Sequence, residues 1–225
     1  MEKNSTVYII RTSCCNIVNY CYILINNNSK EVLLVDPAWN FASIKRALNN
    51  IKGNVKYVLL THAHFDHTNL TDKIVKEYNA QVFMSDIEIR DYSFHCKNLN
   101  KIRDNDCIYL GNTKVDCILT PGHTSGSMCF YTDGYLFTGD TVFIEGCGIC
   151  STPGGSAEEM YHSIKRLISI IPEDTLIYPA HSYGKQVGYN MAYLLQNNIY
   201  FNIHNINQFV KFRMRKGQHG LFDFK

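Results

Sequence analysis

Short runs of β-branched and aromatic residues alternate along the chain with segments whose apolar residues recur at helical spacing. Tyr8-Ile9-Ile10, Tyr20 to Ile25 and Val32 to Val35 are such runs, separated by turn formers such as Asn26-Asn27-Asn28-Ser29. They predict an opening antiparallel set of strands. Asp36-Pro37 ends the third, and Phe41, Ile44, Ala47, Leu48 and Ile51 predict a helix that closes at Gly53. Val55 to Leu60 predicts a mostly buried strand. After it, Leu70, Ile74, Val75 and Tyr78 predict an amphipathic helix with Asp66 as its N-cap. A strand at Gln81 to Met84 and a helical or irregular stretch from Asp86 to Asn98 complete the first half.

The second half repeats the style. Strands are predicted at Cys107 to Leu110, Val115 to Leu119, Met128 to Tyr131 and Tyr135 to Phe137, followed by a helix from Ala157 to Ile170. A strand at Leu176 to Tyr178 then leads to a helix around Gln186 to Asn197. Farther on, Val210, Phe212 and Met214 alternate with Lys211, Arg213 and Arg215, a period-two pattern that gives one apolar and one basic face if the segment is extended, either a solvated edge strand protected by charge or a face for a partner. Strands and helices in both halves give an α/β class. With 225 residues, 45% hydrophobic content and no internal repeat or linker, the expectation is one domain over 1–225, with 199–225 as a short C-terminal extension bearing a basic edge.

Charge and cysteines narrow the function classes. A formal net charge of +2 gives no global polybasic signal for nucleic acid or an anionic membrane, and the C-terminal segment is the one local candidate. Met1-Glu2-Lys3-Asn4-Ser5-Thr6 lacks a charged region followed by an apolar stretch, and no run approaches the roughly 20 apolar residues of a membrane span, so a cytoplasmic location is expected. The cysteine count of 9 is odd, which points to reduced thiols. Cys147-Gly148-Ile149-Cys150 is a CxxC with no second pair following, and a structural role is expected for it.

The densest chemistry lies in Thr61-His62-Ala63-His64-Phe65-Asp66-His67, on the turn after the Val55 to Leu60 strand. A lone histidine on a turn is ordinarily a surface residue or a satisfied core residue. Packing His62, His64, Asp66 and His67 together brings mutual repulsion without structural benefit, so the set implies a metal. His62 and His64, two apart in an extended segment, point to one side, while Asp66 and His67 at a helix start face a second point nearby. His123 in Thr120-Pro121-Gly122-His123-Thr124-Ser125-Gly126-Ser127, Asp140 in Phe137-Thr138-Gly139-Asp140-Thr141 and His181 in Tyr178-Pro179-Ala180-His181 each sit at the end of a predicted strand.

In this order, these motifs resemble the ligand series of the metallo-β-lactamase fold superfamily. The resemblance implies an αβ/βα sandwich, two mixed β-sheets with helices outside. Carried over residue by residue, it implies one metal held by His62, His64 and His123, a second held by Asp66, His67 and His181, and Asp140 bridging the two. The pattern is similar to glyoxalase II, including Gly146-Cys147-Gly148 and Tyr183, a substrate-contact position in that family; Ala180 stands where the family has Gly. It is also similar, nearly over the full length, to the zinc-dependent hydrolases of trans-acyltransferase polyketide synthases, through Ser13-Cys14-Cys15-Asn16, Val35-Asp36-Pro37-Ala38-Trp39, Glu145 to Cys150 and the ending Val210 to Lys225. That resemblance implies two Zn2+ per chain, with iron or manganese as alternatives, and removal of acyl groups from an acyl carrier protein.

Two adjacent cations lower the pKa of water from 15.7 to about 7 and polarise a carbonyl, and Asp66 is the expected orienting residue. An alkyl thiol with a pKa of about 8.5 leaves as thiolate without a general acid, which favours a thioester over an amide. The rival readings are a hydrolase of glutathione thioesters, a mono-iron persulfide dioxygenase and, outside enzymes, a metal-binding interaction protein. A nuclease fits the near-neutral charge poorly. Arg213 and Arg215 are the expected contacts to a carrier protein or its phosphopantetheine phosphate.

Overall fold

The computed structural model describes residues 3–14 and 17–216. In the first half, β1 (Ser5–Cys14), β2 (Ile17–Asn26), β3 (Glu31–Val35), β4 (Asn54–Leu59), β5 (Gln81–Ser85) and β6 (Leu99–Ile102) lie side by side in chain order. β1 to β3 pair antiparallel and β3 to β6 pair parallel. Each parallel step needs a crossover. These are supplied by α1 (Phe41–Ile51), by α2 (Phe65–Thr68) with α3 (Thr71–Tyr78), and by α4 (Asp86–Asp91).

The second half contributes β7 (Cys107–Leu110), β8 (Thr113–Leu119), β9 (Met128–Thr132) and β10 (Tyr135–Gly139), then a two-stranded ribbon of β11 (Val142–Phe143) and β12 (Gly146–Cys147). Next come α5 (Ala157–Ile170), β13 (Leu176–Pro179), α6 (Met191–Asn197) and α7 (Ile206–Arg213). The second sheet has the order β13-β10-β9-β8-β7, with β13 parallel to β10 and the other pairs antiparallel.

The layering follows from side-chain alternation. Tyr20, Tyr22 and Leu24 of β2 enter a core shared with Leu110, Phe130 and Phe137 of the second sheet. Cys21, Ile23 and Ile25 face the other way, onto Ile44 and Leu48 of α1 and Ile74 of α3. Both faces of β2 are therefore buried, which is why its sequence reads as an unbroken apolar run. On the far side, Ile118, Cys129 and Leu136 pack against Met160, Ile164 and Leu167 of α5 and Phe209 of α7. Each fully buried side chain of this size contributes about 1.5–3 kcal/mol. The result is helices, sheet, sheet, helices: the αβ/βα sandwich that the resemblance implied.

Besides β6 and the β11–β12 ribbon, which the sequence does not predict, four elements differ from the sequence expectation. Asp66 is not an N-cap: His64 takes that position before the short α2, and α3 starts separately after Leu70. α1 closes on Lys52 in a left-handed conformation (φ 51°), one residue before Gly53. α6 begins at Met191, where the Asn190 side chain accepts from the Tyr193 amide at 3.0 Å, so the helix expected from Gln186 is shorter. The segment carrying Val210 to Arg213 is helical, not extended, and the Asn205 side chain caps it by accepting from the Gln208 amide. Its four-residue spacing puts Phe209 and Arg213 on one buried face, against Tyr161 of α5.

Candidate metal centre

Strand ends gather the ligand-type residues. His62 and His64 follow β4, Asp66 and His67 lie in α2, and His123, Asp140 and His181 follow β8, β10 and β13. His62, His64 and His123 bring ligand nitrogens within 4.8 Å of one another, as do the ligand atoms of Asp66, His67 and His181 and those of His62, His67 and Asp140. His64 Nδ1 lies 3.1 Å from His62 Nε2 and 3.0 Å from His123 Nε2. His181 Nε2 lies 3.4 Å from Asp66 Oδ2, and His67 Nε2 lies 3.5 Å from the same oxygen. Asp140 stands between the sets: Oδ2 is 3.6 Å from His123 Nε2, while Oδ1 is 3.7 Å from His67 Nε2 and 3.4 Å from His181 Nε2. Ligands of a tetrahedral ion with bonds of about 2.0–2.1 Å stand about 3.3 Å apart, and these separations are close to that.

The outer nitrogens are tied so that the inner ones face the cluster. His123 Nδ1 is 2.7 Å from Ile149 O, and His181 Nδ1 is 2.7 Å from Val18 O; facing a carbonyl, each Nδ1 donates and leaves the Nε2 lone pair pointing inward. His67 Nδ1 is held by Asp36 Oδ2 at 3.0 Å, and His62 Nδ1 by Thr61 Oγ1 at 3.0 Å. Asp36, in a left-handed conformation (φ 48°), also accepts from the Thr61 amide and hydroxyl at 2.8 and 2.6 Å. Gly139 makes room for this arrangement: at φ 51°, a Cβ there would fall 2.4 Å from Thr61 Oγ1.

Electrostatics divide the cluster. Burial, joined by the neighbouring His67 and His123 imidazoles, holds His62 well below the usual range, and burial pushes His64 down as well. Burial likewise brings His123 down to about 4. Burial also pulls on His181, but the Asp140 and Asp66 carboxylates outweigh it and raise the imidazole to about 9. His67 is raised in the same way, by Asp140, Asp36 and Asp66 against burial. Burial alone would raise the Asp66 and Asp140 carboxyls, yet the adjoining histidines keep both well below the carboxylate range. One side thus offers neutral nitrogens and the other offers carboxylates that favour a cation.

The donor set passes a direct test of fit to a metal. His67 Nε2 and Asp140 Oδ1 are buried without a hydrogen-bond partner, an arrangement that costs about 1–3 kcal/mol per group if nothing compensates. Both atoms face the centre of the cluster, where an ion would satisfy them.

All seven residues singled out as ligands come together, and Tyr183 stands beside them, its ring 5.6 Å from that of His181 and 4.8 Å from that of Phe143. Arg213 and Arg215 do not join the cluster or form an exposed basic face together, which corrects that expectation. Arg213 is only 3% exposed and donates to Cys147 O at 3.1 Å and Tyr200 OH at 3.0 Å. Arg215 donates to Phe212 O and Tyr200 OH and lies over the Phe212 ring. Both arginines tie α7 to the body of the protein.

Sequence reasoning missed three polar residues. Asn19 donates to Asp66 O at 2.9 Å and Asp66 Oδ2 at 3.1 Å while accepting from Trp39 Nε1 at 2.7 Å. Asp36 ends a strand and belongs to a segment of the resemblance, but nothing in the sequence indicates its bonds to His67 and Thr61. Glu88, within a stretch read as helical or irregular, is buried and accepts from Ala63, Thr124 and Gly126. An acidic residue on a helix is usually solvated, so its type alone carried no signal; Asn19, a polar residue heading an apolar strand, was the readable one.

Residues 17–181 match the family described as the metallo-beta-lactamase superfamily, and the chain belongs to it. It is 48% identical over 225 residues, covering 100% of both chains, to the "Probable polyketide biosynthesis zinc-dependent hydrolase PksB" of Bacillus subtilis (strain 168). It is 35% identical over 203 residues to a hydroxyacylglutathione hydrolase of Tolumonas auensis, covering 88% of this chain and 74% of the relative. Among solved structures, a metallo-beta-lactamase from Staphylococcus aureus superposes with a TM-score of 0.81 at 23% identity, over 94% of this chain and 68% of that one, and shares the fold. No helix among the described residues is long and apolar enough to cross a membrane.

Proposed function

We propose that this protein is a binuclear zinc hydrolase that cleaves a thioester and removes acyl groups from an acyl carrier protein in polyketide biosynthesis. The observation that carries the reading is the Asp140 carboxylate, 11% exposed, with one oxygen facing His123 and the other, fully covered, facing His67 and His181. In this reading, His62, His64 and His123 would hold one zinc, Asp66, His67 and His181 would hold the other, and Asp140 lies within reach of both sets. The full-length similarity to PksB, whose name carries both zinc and polyketide biosynthesis, supports the metal and the pathway class.

Zinc, when bound, supplies Lewis acidity, lowering the pKa of water from 15.7 to about 7 and polarising an acyl carbonyl. The chain's own residues then set the geometry. Asp66, steered by the Asn19 amide, orients the attacking oxygen by accepting a hydrogen bond from it. The Tyr183 ring, packed between Phe143 and His181, forms an apolar wall for the acyl thioester beside the ligands. The thiol leaves as a thiolate, so no further acid is required.

Mass spectrometry of acylated carrier protein, acyl-coenzyme A and acyl-glutathione after incubation with the zinc-loaded protein tests this function. Deacylation of the carrier protein in preference to the small thioesters is the expected result. Preference for acyl-glutathione would move the assignment to a hydroxyacylglutathione hydrolase, and one bound iron with oxygen-dependent activity would move it to a dioxygenase.

A further inference from the structure

We propose that Glu88 is a positioning residue that fixes the spacing of the three-histidine half of the centre by joining the loop of His62 and His64 to the loop of His123. This rests on the metal role proposed above. Glu88 lies in α4, outside every ligand motif, and its side chain is fully buried. Its oxygens divide between the loops: Oε1 accepts from the Ala63 amide, between His62 and His64, at 2.8 Å. Oε2 accepts from Thr124 Oγ1, next to His123, at 2.9 Å and from the Gly126 amide at 3.0 Å.

Only an acceptor fits among these partners, because the two amides donate and the Thr124 hydroxyl is directed at the carboxylate. Burying a carboxylate carries a desolvation penalty of several kcal/mol unless hydrogen bonds compensate, and three are made here. The His123 loop also lies directly on α4. A Cβ at Gly126 would fall 2.3 Å from Glu88 N and 2.8 Å from its Cα. At the base of the loops, the Met128 amide bonds to Thr61 O at 2.9 Å, so Glu88 adds a second tie nearer the histidines. The other half has ties of its own that do not involve Glu88: His67 to Asp36, which also reaches Thr61, His181 to Val18 O and Asp66 to Asn19. Glu88 should therefore act on one metal position and spare the other.

The test is zinc titration of the full chain against a chromophoric chelator, with thermal unfolding of the metal-free protein in parallel. Glu88→Gln keeps the size but turns an N–H toward a donor. It should weaken one zinc equivalent by about 10–100-fold, the equivalent also lost in His123→Ala, and leave the other near its wild-type affinity. Thr124→Val, which removes one of the three donors to Glu88 together with the 2.6 Å contact to Ser127 Oγ, should weaken the same equivalent by less and serves if Glu88→Gln does not fold. In turnover, kcat should fall with KM little changed. Equal weakening of both equivalents, or a lower Tm with both affinities intact, would overturn the proposal and leave Glu88 a fold-supporting residue. A wild-type chain that binds no zinc would overturn the functional reading and this proposal together, whereas two normal equivalents in the variants would overturn this proposal alone.

Discussion

His62, His64 and His123 meet as neutral imidazoles, whereas Asp66, His67 and His181 meet beside carboxylates that draw positive charge toward them, and each set is braced by a different part of the chain. The first is braced by Thr61, Glu88 and Ile149 O and the second by Asn19, Asp36 and Val18 O, the two systems touching where Thr61 donates to Asp36. An ion in the first set is held by nitrogen lone pairs that burial keeps unprotonated. In the second, it also neutralises buried negative charge. In the proposed binuclear reading, two neighbouring ions would therefore be bound on different terms, and Asp140 is the ligand-type residue whose two oxygens face both sets.

Asp140→Asn should have the largest effect, since it removes the shared charge. Turnover should fall by orders of magnitude and zinc should be lost from both positions, as read by kcat and elemental analysis. Retention of both ions would show that the halves stand without the bridge. Asp66→Asn should reduce turnover by orders of magnitude while circular dichroism shows the fold retained, and its loss of zinc should be confined to the carboxylate side. Smaller still, Asn19→Ala leaves every ligand in place but frees Asp66. A loss of about 10–100-fold in affinity on the carboxylate side, with the three-histidine side unchanged, is expected from removing such a supporting bond; an equal change on both sides would erase the distinction.

The ligands were legible in the sequence because each follows a strand and lies in a short motif, so local spacing carried most of the information. Their braces were not. Glu88 and Asn19 reach the centre through contacts 25 and 47 positions distant in the chain, and neither has a local pattern. The fold class was legible from the alternation of strands and helices, and α5 was located end to end because Ser156 caps it by accepting from the Glu159 amide. β6 escaped notice because Asn100 and Lys101 interrupt its apolar character, as suits a short edge strand. In α7, the alternation of Val210, Phe212 and Met214 with basic residues imitated a strand, while Phe209 and Arg213, four apart, carried the helical burial. A buried arginine defeats any pattern that scores charge as exposure.

That correction extends the comparison to the C-terminal region. Arg213→Met should remove the bonds to Cys147 O and Tyr200 OH and cost about 1–3 kcal/mol, read as a lower midpoint in urea or heat. Lys211→Ala, on the exposed side of α7, should stay within about 0.5 kcal/mol of wild type. Equal, negligible changes would mean that Arg213 is not a brace.

The smallest effect on the centre is expected from the cysteines nearest to it. Cys147 and Cys150 lie in the core packed on α5, where burial raises the Cys147 thiol to about 11 and the Cys150 thiol higher, and neither sulfur joins a group of three ligand-type side chains among the described residues. Their segment serves the centre through its backbone instead: Ile149 O holds His123 Nδ1, and the Gly148 amide bonds to Asp140 O at 3.0 Å. Serine at either position leaves that backbone in place and exchanges a weakly polar sulfur for a hydroxyl, which costs about 1–3 kcal/mol where the new group lacks a full partner. Cys147→Ser and Cys150→Ser should accordingly lower the unfolding midpoint slightly while zinc content and kcat stay at wild-type values. Loss of one zinc equivalent in either variant would make the thiols ligands and would replace the histidine and carboxylate division as the organising feature of the centre.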